Sequence, residues 1–177
     1  MQIKIKKLKE NAILPTYGSG DAAGADLYAC IDDDYYAVKR EDTRDEKGNP
    51  VLDDNGNRII RKYIEMEPGQ TRMIATGIAM AIPKGYVGLI FARSGLASKK
   101  GLAPANKVGV IDADYRGEIK VALHSHLQDR SWASNRVYDG DRIAQIVIVP
   151  YQMAEWELCE DLDETERGAG GFGSTGK

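Results

Sequence analysis

The chain has 177 residues, 42% of them hydrophobic and 29% charged, with a formal net charge of −3. That length suits a single domain with a substantial core, and the small negative charge without a basic stripe argues against a nucleic-acid binder. Cys30 and Cys159 are too few and too isolated to form a disulfide framework or a zinc set. Met1 leads into the alternating run Gln2 to Lys7, with no apolar stretch of the length a signal peptide or membrane span needs. A soluble, cytoplasmic protein is expected, in the host cytoplasm if the gene is viral, with neither a nucleic-acid nor a membrane partner.

Strand signals dominate in chain order. Ile3, Ile5 and Leu8 open the chain, and Leu27 to Ile31 follow. Met73 to Ala75, Ile78 to Ile82, Val87 to Ala92, Val108 to Ile111, Ile119 to Leu123 and Ile143 to Val149 continue the series. Pro68-Gly69, Pro83-Lys84-Gly85 and Asp139-Gly140-Asp141 supply turns between them. Short strands with this punctuation predict an all-β barrel or sandwich. Only Ser94 to Lys100 reads as a short helix.

Two segments stand apart. Residues 33–64 are strongly charged and carry two turn signals, Lys47-Gly48-Asn49-Pro50 and Asp53-Asp54-Asn55-Gly56-Asn57. With few apolar side chains they predict a protruding hairpin insert, partial disorder being the alternative. The tail, residues 167–177, has glycine at five of the nine positions after Arg167, which predicts a mobile backbone beyond a domain of residues 1–166. Gly168-x-Gly170-x-x-Gly173 imitates a dinucleotide fingerprint, but that motif needs a following helix to present its amides, and none can follow before Lys177.

Residues 109–118, Gly-Val-Ile-Asp-Ala-Asp-Tyr-Arg-Gly-Glu, carry the most chemistry. Asp112 stands where the strand through Val110 and Ile111 stops, and Tyr115 follows three residues later before the turn at Gly117. Such a hairpin aims a carboxylate and a ring at one space, as a general base beside a flat ligand requires. An ordinary Asp-rich turn fits the same residues. Arg93-Ser94-Gly95 joins a cation, a hydroxyl and free amides where the short helix opens, a combination that recognises anions. Lys99 and Lys100 read as a solvated face, and Asp141 with Arg142 as a structural pair. His124 and His126 alternate on a strand without an acidic or cysteine partner at ligand spacing, and so read as surface or interface histidines.

Five short motifs, AGADLYA from Ala23, ARSGLA from Ala92, GVIDADYRG from Gly109, GDRIAQ from Gly140 and RGAGGFGSTG from Arg167, occur together in that order. In this the chain resembles the trimeric dUTP pyrophosphatases (dUTPases). The resemblance implies a jelly-roll-like β barrel, a homotrimer with sites between subunits, and hydrolysis of dUTP by water attack on the α-phosphorus. It implies Asp112 as the catalytic base. Around the substrate it implies Arg93, Ser94, Gly95 and Gln145 near the phosphates, and Asn106, Val110, Ile111 and the backbone near Lys120 around uracil. Tyr115 would lie against the deoxyribose. Arg167 is implied toward the γ-phosphate, Phe172 over the base, and Gly173 and Ser174 in the same closing lid. Mg2+ would be held mainly by the triphosphate, with Asp26 ordering that site indirectly. Most dUTPases have a much shorter link where residues 33–64 stand, so an additional protein partner at this insert is one further reading. A dCTP deaminase-type relative is another, and the Tyr115 hairpin and the RGAGGFGSTG tail argue against it.

Overall fold

The computed structural model describes residues 1–35, 37–127 and 135–171. In chain order its elements are β1 (Lys4–Lys7), β2 (Thr16–Tyr17), β3 (Ala25–Tyr28), β4 (Val38–Asp42), β5 (Ile60–Met66), β6 (Thr71–Ala75), β7 (Ile78–Ala81), β8 (Tyr86–Phe91), α1 (Ser94–Lys100), β9 (Leu102–Pro104), β10 (Gly109–Ile111), β11 (Lys120–Ser125), β12 (Asn135–Tyr138) and β13 (Arg142–Pro150). Strands β10-β8-β13-β3-β2 form one sheet, β6-β11-β9 a second, β12-β5-β4 a third, and β1-β7 a two-stranded ribbon. The architecture is the all-β, jelly-roll-like barrel anticipated from the sequence, and α1 spans the residues the sequence assigns to it. Strands β2, β9 and β12 are additions; the first is two residues long and the second three, too short to show a period.

The sheets close on one apolar cluster. Leu27, Ile74, Leu102, Ile119 and Leu123 are wholly buried within it, joined by Ile64, Val137 and Ile146. Each buried aliphatic side chain contributes about 1.5–3 kcal/mol, so the strands are held by the faces they share rather than by their own length. The three turns expected from Pro and Gly form as such, with Gly69, Gly85 and Gly140 at positive φ. The Asp139-Gly140-Asp141 turn also ties the barrel corner together. Gly140 N–H donates to the Ala29 carbonyl, Ala29 N–H to the Asp141 carbonyl, and Ile31 N–H to Asp139 Oδ1.

The charged insert differs from a single hairpin. Strands β4 and β5 form an antiparallel stem, and above it two consecutive turns repeat the same local chemistry eight residues apart. Asp45 Oδ1 accepts the amides of Lys47 and Asn49, and Asp53 Oδ1 accepts those of Asn55 and Asn57. These amides hold both carboxyls below the usual carboxylate range, those of Asn49 and Asn57 having the largest effect. Gly48 and Gly56 occupy the positive-φ corners, at 84° and 80°. Three backbone bonds then close a ring: Val51 N–H to Thr43 O (2.8 Å), Ile59 N–H to Val51 O (2.9 Å) and Thr43 N–H to Ile59 O (2.8 Å).

The proposed boundary of residues 33–64 needs correction at both ends, because Tyr63 and Ile64 are buried and Tyr35 and Val38 pack on the core. The part that stands outside the barrel is residues 43–59. Joining Thr43 to Ile59 through Asn-Gly should therefore shift the urea midpoint only slightly, since loop length is thermodynamically cheap to change. Removing residues 33–64 entire should cost at least the ~2–5 kcal/mol of one emptied aliphatic core site. Urea titrations of the two deletions at equal protomer concentration check this difference.

Candidate functional site

Two clefts carry the residues singled out above. The first opens beside the hairpin that follows β10. It has a volume of about 220 Å3 and is lined by Met73, Val110, Ile111, Asp112, Tyr115, Glu118 and Lys120. Strand β10 pairs with β8 through Ile111 opposite Gly88, which leaves Asp112 just past the end of the ladder. Its carboxylate is exposed at the cleft mouth. The hairpin beyond it is fixed to the barrel by Ile119 N–H on the Ile78 carbonyl, Thr76 Oγ1 on the Ile119 carbonyl and Gly77 N–H on Glu118 Oε1. The cleft thus combines an apolar wall, a ring, a cation and a carboxylate on a rigid base. Asn106 does not line it: its amide nitrogen lies near Gly109, at the opposite end of β10.

The second cleft, of about 270 Å3, is lined by Arg93, Gly95, Leu96, Lys99, Lys100, Asp141 and Arg142. Its organiser is Asp26, whose carboxylate accepts Arg93 Nε on Oδ1 (2.6 Å) and an Arg142 guanidinium nitrogen on Oδ2 (3.1 Å). Strand order explains the meeting. Central strand β13 places Gln145 opposite both Asp26 of β3 and Phe91 of β8, two residues before Arg93. A register shift between Arg142 and Ala144 then inserts one extra residue, so Arg142 faces Tyr28 on the same side of the sheet as Gln145. Without that bulge the two side chains would point to opposite faces. Gln145 Nε2 donates to the Ala92 carbonyl (2.8 Å), and a Cβ on Gly24 would stand 2.6 Å from Gln145 Oε1, so the glycine keeps room for this amide.

Helix α1 starts at Ser94 with no side-chain cap, so its first amides have no partner within the helix. Ser94 and Gly95 are both exposed beside the cations. Lys99 and Lys100, read from sequence as a solvated face, line the same cleft, and so does Arg142, read as half of a structural pair. Four cations against Asp26 and Asp141 leave this cleft with a surplus of positive charge. The Gly-Asp-Arg spelling is the one sequence signal for Arg142, and it became informative only with the bulge.

As for a metal, both Asp26 oxygens accept arginine hydrogen bonds, so Asp26 orders the cations and is not free to ligate an ion. Among the described residues no group of three or more His, Cys, Asp or Glu stands at ligand spacing. The donor set fits an ion carried by phosphate oxygens of a ligand rather than one in a protein cage. His124 and His126 stack edge to face at 4.6 Å, and His124 Nδ1 meets Thr71 Oγ1 at 2.8 Å. Arg167 donates Nε to the Gly170 carbonyl and lines neither cleft. Phe172, Gly173 and Ser174 lie outside the described residues.

The two clefts are far apart within one chain. Asp112 comes just after Ile111, opposite Gly88 near the start of β8, whereas Arg93 lies two residues past its end. At ~3.3 Å per residue the separation along the strand is on the order of 20 Å.

A β barrel that presents an apolar, carboxylate-bearing cleft and a separate polycationic cleft has the features of a nucleotide-binding enzyme. The family model described as dUTPase matches residues 59–176. The chain is 42% identical to the deoxyuridine 5'-triphosphate nucleotidohydrolase of Syntrophotalea carbinolica, over 98% of this chain and 96% of the relative. It is 40% identical to the protein of that name from Nautilia profundicola, over the full length of both. Among solved structures, the Staphylococcus bacteriophage 80alpha dUTPase with dUPNHPP superimposes with a TM-score of 0.74 at 27% identity, over 99% of each chain. The chain belongs to the dUTPase family.

The Asp26 bridge yields a stability prediction. Arg93 and Asp26 retain side-chain exposures of 23% and 13%, while Arg142 retains 51%. Asp26→Ala leaves two guanidinium groups together without their counter-charge and should cost about 2–3 kcal/mol. Arg142→Ala loses a half-exposed pair and should cost less than about 1 kcal/mol. Urea midpoints at one fixed protomer concentration measure both; equal costs would mean that Asp26 does not organise the cleft.

Proposed function

We propose that this protein hydrolyses dUTP to dUMP and pyrophosphate, limiting the dUTP available to DNA synthesis and supplying dUMP. The observation that carries the mechanism is the exposed Asp112 carboxylate at the mouth of a cleft with a ring and an apolar wall. Uracil sits against Val110 and Ile111, reads the hairpin backbone up to Lys120, and has Asn106 at the far end of that strand. Cytosine would leave buried donors and acceptors mispaired there. Asp112 holds a water and removes its proton as the oxygen attacks the α-phosphorus in line with the leaving pyrophosphate.

Arg93, Ser94, Gly95 and Gln145 hold the phosphates, joined by Arg142 and Lys99 from the same cleft. Mg2+ held by the triphosphate supplies further charge neutralisation, with Asp26 acting only through the arginines it orients. The tail from Arg167 closes as a lid, bringing Arg167 to the γ-phosphate, Phe172 over the base, and Gly173 and Ser174 alongside.

Because the two clefts lie on the order of 20 Å apart along β8, a water held by Asp112 cannot reach a phosphate held by Arg93 of the same chain. We infer that the working enzyme is a homotrimer in which the Asp112 cleft of one subunit faces the Arg93 cleft of another. The segment after β13 supports this assembly. Trp156 and Leu158 are 94% and 99% exposed, a cost that a neighbouring subunit would remove. Free Cys30 and Cys159 suit a reducing cytoplasm. On the 43–59 crown, exposed Leu52 and Ile59 form the surface that an additional protein partner would use.

Pyrophosphate release measured separately with dUTP, dCTP, dTTP and UTP should be fast with dUTP alone, and an ammonia assay with dCTP should read zero. Asp112→Asn keeps the shape and removes the proton acceptor, so kcat should fall by about 10²–10⁴ while dUTP binding persists. Retained turnover in the folded, Mg2+-loaded variant would take Asp112 out of this role.

A further inference from the structure

Gly117, read from the sequence as a turn glycine, has unusual surroundings. A Cβ built on it would run into Tyr115 Oη, would stand 2.6 Å from Cζ and 3.0 Å from Cε2, and all three nearest atoms belong to that one ring. The Gly117 backbone is not in the positive-φ region, so its glycine is not required by its own conformation. The requirement is space for Tyr115. With that space the ring folds back over the turn, and its hydroxyl donates to the Glu118 carbonyl at 2.9 Å.

The acceptor is itself fixed. Glu118 Oε1 accepts the Gly77 amide at 3.0 Å, and its other oxygen lies 3.4 Å from Lys120 Nζ. Gly77 is wedged against Ala12 and Cys30, both buried in the core. A chain of contacts therefore runs from the barrel interior through Gly77 and Glu118 to the Tyr115 hydroxyl. The ring is held at one end by its own backbone and at the other by this bond, while remaining 44% exposed along its length. A side chain at position 117 would take the space the ring occupies.

We propose that Gly117 is a positioning residue for sugar selectivity: by leaving room for the Tyr115 ring it fixes the wall that excludes a ribose 2′-hydroxyl. This rests on the reading of the site as a dUTP cleft with Tyr115 against the deoxyribose. The three atoms nearest a methyl group at position 117 all lie at the far end of one side chain with two rotatable torsions. It therefore swings the ring aside instead of unfolding the hairpin. The consequence is a change in which nucleotide is accepted, with little change in stability.

The test is a double-mutant cycle read as kcat/KM for dUTP and for UTP, with Gly117→Ala, Tyr115→Ala and the double variant in the full-length assembled protein. Gly117→Ala should raise the UTP-to-dUTP ratio about tenfold or more, which corresponds to ~1.4 kcal/mol of lost discrimination. In the Tyr115→Ala background the same substitution should be silent, because the three atoms nearest the new methyl all belong to the ring that has been removed. Urea midpoints confirm that each variant is folded. An unchanged ratio in folded Gly117→Ala overturns the proposal, and so does an effect of equal size in the Tyr115→Ala background. Failure of the underlying reading looks different: the unmodified protein would then show no preference for dUTP over UTP.

Discussion

The length of strand β8 is the constraint on which the rest of this structure depends. The strand pairs with β10 from Gly88 to Ile90, which leaves Asp112 beside its start, and its other end runs into Arg93 and the first turn of α1. A pleated strand cannot shorten, so acid and cations are held on the order of 20 Å apart by backbone geometry alone. On the proposed reading each cleft is a half-site, and neither performs the reaction unaided. On that reading assembly, usually discussed as a route to stability, is a condition for chemistry. The apolar side chains left in water along residues 151–166 belong to the same logic.

Within the phosphate half-site, the decisive element is one extra residue. The bulge in β13 turns Arg142 onto the face that carries Gln145, so that Asp26 meets two guanidinium groups instead of one. A single carboxylate between two forks leaves one surplus positive charge, and Lys99 and Lys100 from α1 add to it. The cations are aligned before any ligand arrives, which reduces the reorganisation required when a polyanion binds. The base half-site is built on the opposite plan. It has an apolar wall, one ring and one exposed carboxylate, with rigidity supplied by the Thr76–Ile119 and Gly77–Glu118 bonds.

How much of this was legible in the sequence differs by element. Helix α1 spans the Ser94–Lys100 stretch read from the sequence, and in the structure Gly101 closes it in the left-handed region. The Asp112 hairpin was legible because alternation, an Asp-rich turn and a glycine coincide within ten residues. Arg142 and Lys99 were not. The first depends on a bulge, which shifts register without a composition signal, and the second on a cleft between α1 and β13, distant in sequence. The insert was visible as a charged segment, but its edge was misplaced: Tyr63 and Ile64 follow a polar run and still enter the core, because β5 continues from the stem into pairing with β12. Asn106, implied by the resemblance for the uracil pocket, lies at the Gly109 end of β10, away from the cleft that holds Asp112.

The central claim, that one catalytic site takes Asp112 and Arg93 from different subunits, is tested most directly by mixing two inactive proteins. Asp112→Asn lacks the proposed base and Arg93→Ala lacks one cation of the proposed phosphate cleft; each alone should be nearly inactive. The two are unfolded and refolded together at equal amounts, and mixed trimers are verified by a tag on one variant. About a quarter of all sites should then pair an intact Asp112 with an intact Arg93, and dUTP turnover should return to about a quarter of that of the unmodified protein. Verified mixing with turnover still at the level of the separate variants would show that each chain builds its site alone, and would contradict the account.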